Sequence, residues 1–168
     1  TNTQKPSFRL VKLDSYRGLG LAGATFRIAR IEDGSHYLDR VTDTKGEINI
    51  SDLEPGIYSV VEMDAPEGYV KDSREYHVEL FPGQNSELVV SNDRMPNLEI
   101  LKTDAITGKP VAGVTFTVKR VDSSTLTTVT SDENGRCYLE KLMPGVYEIW
   151  EQSVPDGYLL NEAHQMIT

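Results

Sequence analysis

Hydrophobic and polar residues alternate over short stretches of this chain, and turn-forming pairs interrupt the alternation before any helical spacing develops. Strand side chains point to opposite faces in turn, so residues two apart share a face. Phe8, Leu10 and Lys12 fall in phase with Arg9 opposite, and Tyr58, Val60 and Glu62 fall in phase with Ser59 opposite. Leu88, Val90 and Asn92 do the same against Glu87 and Ser91. Asp33-Gly34, Pro82-Gly83 and Asn134-Gly135 break the runs as turn signals. No window places apolar residues at i, i+3, i+4 and i+7 between helix caps, so the pattern predicts short strands throughout.

The pattern also repeats. Lys12-Leu13-Asp14 returns as Lys102-Thr103-Asp104, and Ala22-Gly23-Ala24-Thr25-Phe26 as Ala112-Gly113-Val114-Thr115-Phe116. Leu53-Glu54-Pro55-Gly56-Ile57-Tyr58 returns as Leu142-Met143-Pro144-Gly145-Val146-Tyr147. Glu62, Pro66, Gly68 and Tyr69 return at the same spacing as Glu151, Pro155, Gly157 and Tyr158. A period of about 90 residues exceeds the 20–50 of solenoids and indicates tandem domains. The expected boundary lies in the polar, proline-containing stretch Asp93–Pro96, giving domains 1–94 and 95–168. With about five to seven strands in some 85 residues, each repeat is expected to be all-β and to close as a β-sandwich.

Composition narrows the function classes. The chain has 168 residues, 38% of them hydrophobic and 26% charged, as in ordinary globular proteins. A net charge of −9 argues against nucleic acid as a partner, whose binders carry a basic footprint. No apolar run approaches the ~18 residues of a spanning helix, so no membrane insertion is expected within this sequence. Thr1–Lys5 is polar and lacks the layout of a secretory signal, so an exported protein is expected to have had its signal removed. The single Cys137 excludes an intramolecular disulfide and any cysteine-based zinc cluster.

Three polar residues on apolar faces carry the candidate chemistry. The first strand places Lys12 in core phase, the strand after the Pro-Gly turn places Glu62 there, and the last strand of the first repeat adds Asn92. In the second repeat Leu98, Ile100 and Lys102 share a face, as do Tyr147, Ile149 and Glu151. Such groups are rarely buried unless paired. One reading is a buried Lys–Glu ion pair completed by the asparagine. The other is covalent. Low dielectric favours the neutral forms of amine and carboxyl groups alike. A neutral amine beside a proton donor can attack the asparagine amide carbon, and fixed proximity supplies the effective molarity for an isopeptide bond.

At these residues the sequence resembles the B-type repeats of collagen adhesins (Cna-B, or prealbumin-like, domains) found in Gram-positive surface adhesins and pilins. The resemblance rests on the box Glu62-Met63-Asp64-Ala65-Pro66-Glu67-Gly68-Tyr69, on its second copy Glu151–Tyr158, and on the Lys-x-Asp, Ala-Gly-x-x-Phe and Pro-Gly-x-Tyr segments. It extends over roughly Phe8 to Thr168 and implies two tandem immunoglobulin-like, prealbumin-like sandwiches. It also implies an intramolecular isopeptide bond between Lys12 and Asn92, with Glu62 as the catalytic residue. In the second repeat Glu151 and the donor candidate Lys102 are present, but Thr168 aligns with Glu79, about 13 residues before the Asn92 equivalent. Asn161 aligns with Asp72 and is out of place as an acceptor, so this repeat is expected to lack its closing strand and leave Lys102 unpaired with an acceptor.

Other signals carry less. His36, His77 and His164 share no ligand spacing, so neither metal nor cofactor is expected. Asp132-Glu133-Asn134-Gly135 lacks the alternating oxygen ligands of a calcium loop and reads as a hairpin turn. Gly18-Leu19-Gly20 has no strand-turn-helix context for phosphate binding. Neither a Leu-Pro-x-Thr-Gly sorting signal nor a Tyr-Pro-Lys pilin motif is present, so a longer parent protein is expected. The leading expectation is a structural stalk or spacer of a cell-wall-anchored adhesin or pilus subunit, extracellular, whose partners are neighbouring domains of the same protein. Its chemistry would be single-turnover and self-directed, so no enzyme is expected. The alternative is an adhesin module that binds a host matrix protein or glycan.

Overall fold

The computed structural model describes residues 2–34 and 36–168. Backbone contacts divide the chain into two compact units, Thr1–Arg94 and Met95–Thr168. The first contains β1 (Ser7–Asp14), β2 (Thr25–Arg30), β3 (Tyr37–Val41), β4 (Glu47–Ile50), β5 (Gly56–Asp64), β6 (Glu75–Leu80) and β7 (Asn85–Asn92), with a short 3-10 turn at Ile31–Asp33. They form a three-stranded sheet in the order β4-β1-β7 and a four-stranded sheet in the order β3-β2-β5-β6. Neighbouring strands are antiparallel except β1 and β7, which run parallel from Ser7 against Asn85 to Asp14 against Asn92. A parallel pair requires a long crossover, and here the rest of the unit supplies it.

The alternation of the sequence becomes the inside and outside of a β-sandwich. Phe8, Leu10, Ile48, Ile50 and Val90 of the smaller sheet pack with Phe26, Ile28, Tyr58, Val60 and Leu80 of the larger. Arg9, on the opposite face of β1, instead reaches Glu87 and Glu47 across the sheet surface.

Gly46 fixes the approach of the turn before β4 to the middle of β1. Its φ is +80°, and a Cβ there would stand 2.4 Å from the carbonyl oxygen of Lys12. Lys12 donates its own N–H to Gly46 O at 2.7 Å. In the second unit Gly135 repeats the arrangement, with φ +72° and a would-be Cβ 2.3 Å from Lys102 O. Gly46→Ala is therefore expected to destabilise the first unit by about 1–3 kcal/mol from backbone strain alone. That corresponds to a melting temperature several degrees lower by calorimetry. Gly68→Ala is expected to lose less, since φ there is also positive but the would-be Cβ meets nothing.

The second unit contains β8 (Leu98–Leu101), β9 (Thr115–Arg120), β10 (Leu126–Thr130), β11 (Arg136–Leu139), β12 (Tyr147–Ser153) and β13 (Gln165–Ile167). Its sheets are β10-β9-β12-β13 and β11-β8. These strands match β1 to β6 one for one, and Val111, Val114, Phe116, Val118, Cys137 and Ile149 form the core. Among the described residues β8 pairs with β11 alone, whereas β1 has β4 on one edge and β7 on the other. Leu98 and Ile100 are accordingly half-buried where Phe8 and Leu10 are fully buried. Among the described residues no helix is long and apolar enough to cross a membrane.

Candidate functional site

In the first unit Lys12, Glu62 and Asn92 meet inside the sandwich, each no more than 2% exposed. β1 and β7 bring the amine and the amide to one face. The register sets Asp14 opposite Asn92, so Lys12 and Asn92 lie one two-residue step apart on adjacent strands. Their side chains converge on the carboxylate of Glu62, which β5 delivers from the other sheet. Lys12 Nζ lies 3.3 Å from Glu62 Oε1, and Asn92 Nδ2 donates to Glu62 Oε2 at 2.9 Å. Asn92 Nδ2 also donates to Val70 O at 2.9 Å. The ring of Phe26, the residue paired with Glu62 in the β2–β5 register, lies with its centroid 5.5 Å from Lys12 Nζ.

The site is incompletely satisfied. Lys12 Nζ, Glu62 Oε1 and Asn92 Oδ1 are buried polar atoms with no hydrogen-bond partner among the described residues. Unsatisfied buried groups are rare and costly in folded proteins. Burial pushes the Lys12 amine below its ordinary range, more strongly than the opposing charge of Glu62 pulls it up.

The local structure explains the placement of the glutamate. The β2–β5 register shifts just beyond Phe26 and Glu62, leaving an extra residue on β5. The same irregularity follows Glu151 on β12. Such bulges re-aim the chain near functional residues, and here each lies directly after the box glutamate, two residues before its strand ends.

Asp14 is a member that sequence reasoning missed. It is 1% exposed and accepts four hydrogen bonds, from the N–H groups of Tyr16 and Arg17, from Tyr69 Oη at 2.8 Å and from Arg94 Nε at 2.7 Å. These donors hold its carboxyl well below the ordinary range, the backbone N–H of Arg17 contributing most. The last residue of the glutamate box and Arg94, just beyond β7, are thereby fastened to the end of β1. Ser15 Oγ adds a 2.5 Å bond to Asp93, beside Asn92. The available signal was parity, since Asp14 follows Phe8, Leu10 and Lys12 on the same face.

The second unit holds two of the three groups. Lys102 Nζ lies 2.8 Å from Glu151 Oε1, and Tyr158 bonds Asp104 as Tyr69 bonds Asp14. Lys102 is less covered than Lys12. The Lys102 side chain is 27% exposed, and among the described residues β8 is paired on one edge only, with β11. A groove of about 360 Å³ lies there, lined by Ile100, Lys102, Phe116, Trp150, Glu151 and Asn161 among others. The Asn161 N–H donates to Glu151 Oε2 at 2.8 Å, and its side-chain oxygen accepts from Ala163 N–H.

The histidines are dispersed. His36 bonds Asp33, His77 bonds Glu75, and His164 bonds Glu148 while stacking on Trp150 with centroids 4.8 Å apart. Among the described residues no cluster of three or more His, Cys, Asp or Glu side chains is placed to hold a metal.

Comparison with known proteins supplies the relatives. The family model for SpaA, a prealbumin-like fold domain, matches residues 6–94 and again 96–168. A serine-aspartate repeat-containing protein D of Staphylococcus aureus (strain Newman) is 25% identical over 161 residues, covering 83% of this chain and 12% of the relative. The chain thus spans about an eighth of the curated relatives it matches. A streptococcal ancillary pilin superposes with a TM-score of 0.56 at 26% identity, covering all of this chain and 60% of the pilin chain. The shaft pilin SpaA of Lactobacillus rhamnosus GG superposes over 98% of this chain and 93% of its own with a TM-score of 0.56, and at 16% identity it speaks to the fold alone.

Proposed function

The chain belongs to the SpaA family of prealbumin-like fold domains, and we propose that it is a load-bearing segment of a bacterial surface adhesin or pilus subunit whose first unit is closed by a self-formed Lys12–Asn92 isopeptide bond. The observation that carries the reading is the buried contact of amine, carboxylate and amide, with one unsatisfied atom on each. A permanent ion pair would keep both charges buried and leave Asn92 Oδ1 without a partner, whereas condensation removes the charged amine. The likeness to a serine-aspartate repeat-containing protein and to a streptococcal ancillary pilin supports the setting. Neighbouring domains or subunits of the same assembly are the partners, and the location is the cell surface.

The geometry supports a simple proton path. Lys12 Nζ, neutral, attacks Asn92 Cγ; the Nζ–Cγ bond forms and the Cγ–Nδ2 bond breaks. Glu62 stands between attacker and leaving group, with Oε1 on Nζ and Oε2 on Nδ2. It takes one proton from Nζ and returns one to Nδ2, which leaves as ammonia. The carboxyl is regenerated, but the lysine and asparagine are consumed, so the unit reacts once. Positioning of this kind is what raises effective molarity.

Intact-mass measurement tests the proposal. Wild-type chain is expected to weigh one ammonia less than its sequence, with a branched peptide joining Lys12 to Asn92, and Glu62→Ala is expected to restore the full mass. Chain synthesised and held in denaturant is expected to stay unlinked. The rate of linkage should rise with pH and level off below the ordinary lysine range, because burial lowers the Lys12 amine and the neutral form attacks. Full sequence mass from folded wild-type protein would leave only the buried ion pair.

A further inference from the structure

Glu62 and Glu151 share a contact that the lysine and asparagine do not explain. The main-chain N–H of Asp72 donates to Glu62 Oε2 at 2.6 Å, and that of Asn161 donates to Glu151 Oε2 at 2.8 Å. Each donor stands ten residues after its glutamate. Around them the two sequences differ, Val70-Lys71-Asp72-Ser73-Arg74 against Leu159-Leu160-Asn161-Glu162-Ala163, yet both place an Asx residue at the donor. In both the side chain closes a turn, Asp72 Oδ1 accepting from Arg74 N–H and Asn161 Oδ1 from Ala163 N–H, each at 3.0 Å. This is the Asx turn, in which a short polar side chain mimics a backbone turn and fixes the local peptide direction.

The bond divides the carboxylate. Oε2 of Glu62 receives Asp72 N–H and Asn92 Nδ2, while Oε1 faces Lys12. With Oε2 anchored to the backbone, rotation about the final side-chain torsion is opposed, and the two oxygens keep separate duties. Resting on the reading that Lys12 and Asn92 condense, we propose that Asp72 is a positioning residue for that reaction: its Asx turn aims a main-chain N–H at Glu62 Oε2 and so sets one carboxyl oxygen on the attacking amine and the other on the departing amide nitrogen.

The carboxylate of Asp72 has a separable effect. It is held by Arg74 Nε and Nη2 and by Tyr76 Oη. Lys12 faces Glu62 from β5, Asp72 and Arg74 from the segment that precedes β6, and the uncharged Phe26 and Asn92 from β2 and β7. Of these, Asp72 favours the charged amine and Arg74 opposes it. Asp72→Asn keeps the turn, as Asn161 does in the second unit, and removes the charge, whereas Asp72→Ala removes both.

The test is a time course. The full chain is made by cell-free translation, quenched in denaturing acid at intervals, and its cross-linked fraction read by intact mass. Asp72→Ala is expected to slow linkage by about tenfold or more, the scale on which small misplacements of reacting groups act. Asp72→Asn is expected to link within about threefold of wild type on its own high-pH plateau. Its rate–pH profile should move to lower pH, because Lys12 loses a charge that held its proton. Melting of the same substitutions in Glu62→Ala chain, which cannot react, reports folding alone. If Asp72→Ala does not fold there, Asp72→Ser replaces it and is expected to react at an intermediate rate, since serine closes the same turn more weakly. Wild-type rates in the alanine or serine variant, or an asparagine variant as slow as the alanine one, overturn the role of Asp72. A wild type that never loses ammonia overturns the cross-link itself.

Discussion

Pulled from its two ends, the first unit is expected to release almost none of the chain between Lys12 and Asn92. Tension enters at the start of β1 and leaves at the end of β7, and because these strands are parallel the pull shears all eight paired positions of their ladder at once. The proposed bond joins the same two strands inside the sandwich. With it, the intervening residues cannot extend, and about 260–280 Å of contour length is withheld at ~3.3–3.6 Å per residue. Lys12→Met/Glu62→Gln is expected to restore that length in single-molecule extension. The pair keeps side-chain volume and removes both charges, so its loss of stability reports the tether itself. Closing a loop of this size is worth about 4–5 kcal/mol in the chain-entropy account used for disulfides. For a unit of this size that corresponds to a melting temperature lower by roughly 15–40 °C. Lys12→Ala alone should fall further, since it also strands the buried Glu62 carboxylate, at about 3–5 kcal/mol. A double variant that melts within a few degrees of wild type and extends to the same length would show that wild type carries no tether.

Parity explains how much of this was legible in the sequence. Lys12, Glu62 and Asn92 were visible as polar residues in the phase of apolar neighbours, because strand geometry makes the face of a residue a matter of odd and even positions. Asp14 obeys the same rule, yet it closes a strand beside a turn, where acidic residues are common and attract no notice. Asp72 could not be found this way. Its contribution is a main-chain N–H, which every residue but proline possesses, and the stretch between β5 and β6 has no alternation to read. Lys102 shows what phase leaves open. Its phase points to the core, but burial of a strand residue depends on both neighbouring strands, and β8 has only one among the described residues. The repeat itself was legible because side chains with fixed structural duties recur at matching positions. Gly46 and Gly135 allow the turn to touch the lysine strand, and Tyr69 and Tyr158 reach the aspartate at its end.

The open edge of β8 leads to the second large effect. Lys102 and Glu151 are already in contact at 2.8 Å, and the groove beside them is bordered by an edge of β8 that pairs with no strand among the described residues. In the first unit the corresponding place is filled by β7, which lies parallel to β1 and brings Asn92 to the glutamate. A strand edge of this kind accepts an added strand through main-chain hydrogen bonds, and alternate side chains enter the groove. A synthetic peptide with the sequence Glu87-Leu88-Val89-Val90-Ser91-Asn92 is therefore expected to dock beside β8, seat its leucine and valine over Phe116 and Ile149, and couple its asparagine to Lys102 with loss of ammonia. Asn161 is not expected to compete, because its N–H is held by Glu151 and its side-chain oxygen closes a turn onto Ala163. The adduct should appear as a covalent band shift and as added mass on the full chain. It should vanish in Lys102→Ala and Glu151→Ala and in a peptide whose asparagine is replaced by alanine. The first unit serves as the internal control, since its own strand occupies the equivalent place and no second peptide should attach there. An adduct that forms equally well without Glu151 would show that the peptide finds Lys102 by surface reactivity, and Lys102 already linked to Asn161 in the isolated chain would show that the two repeats close by different strands.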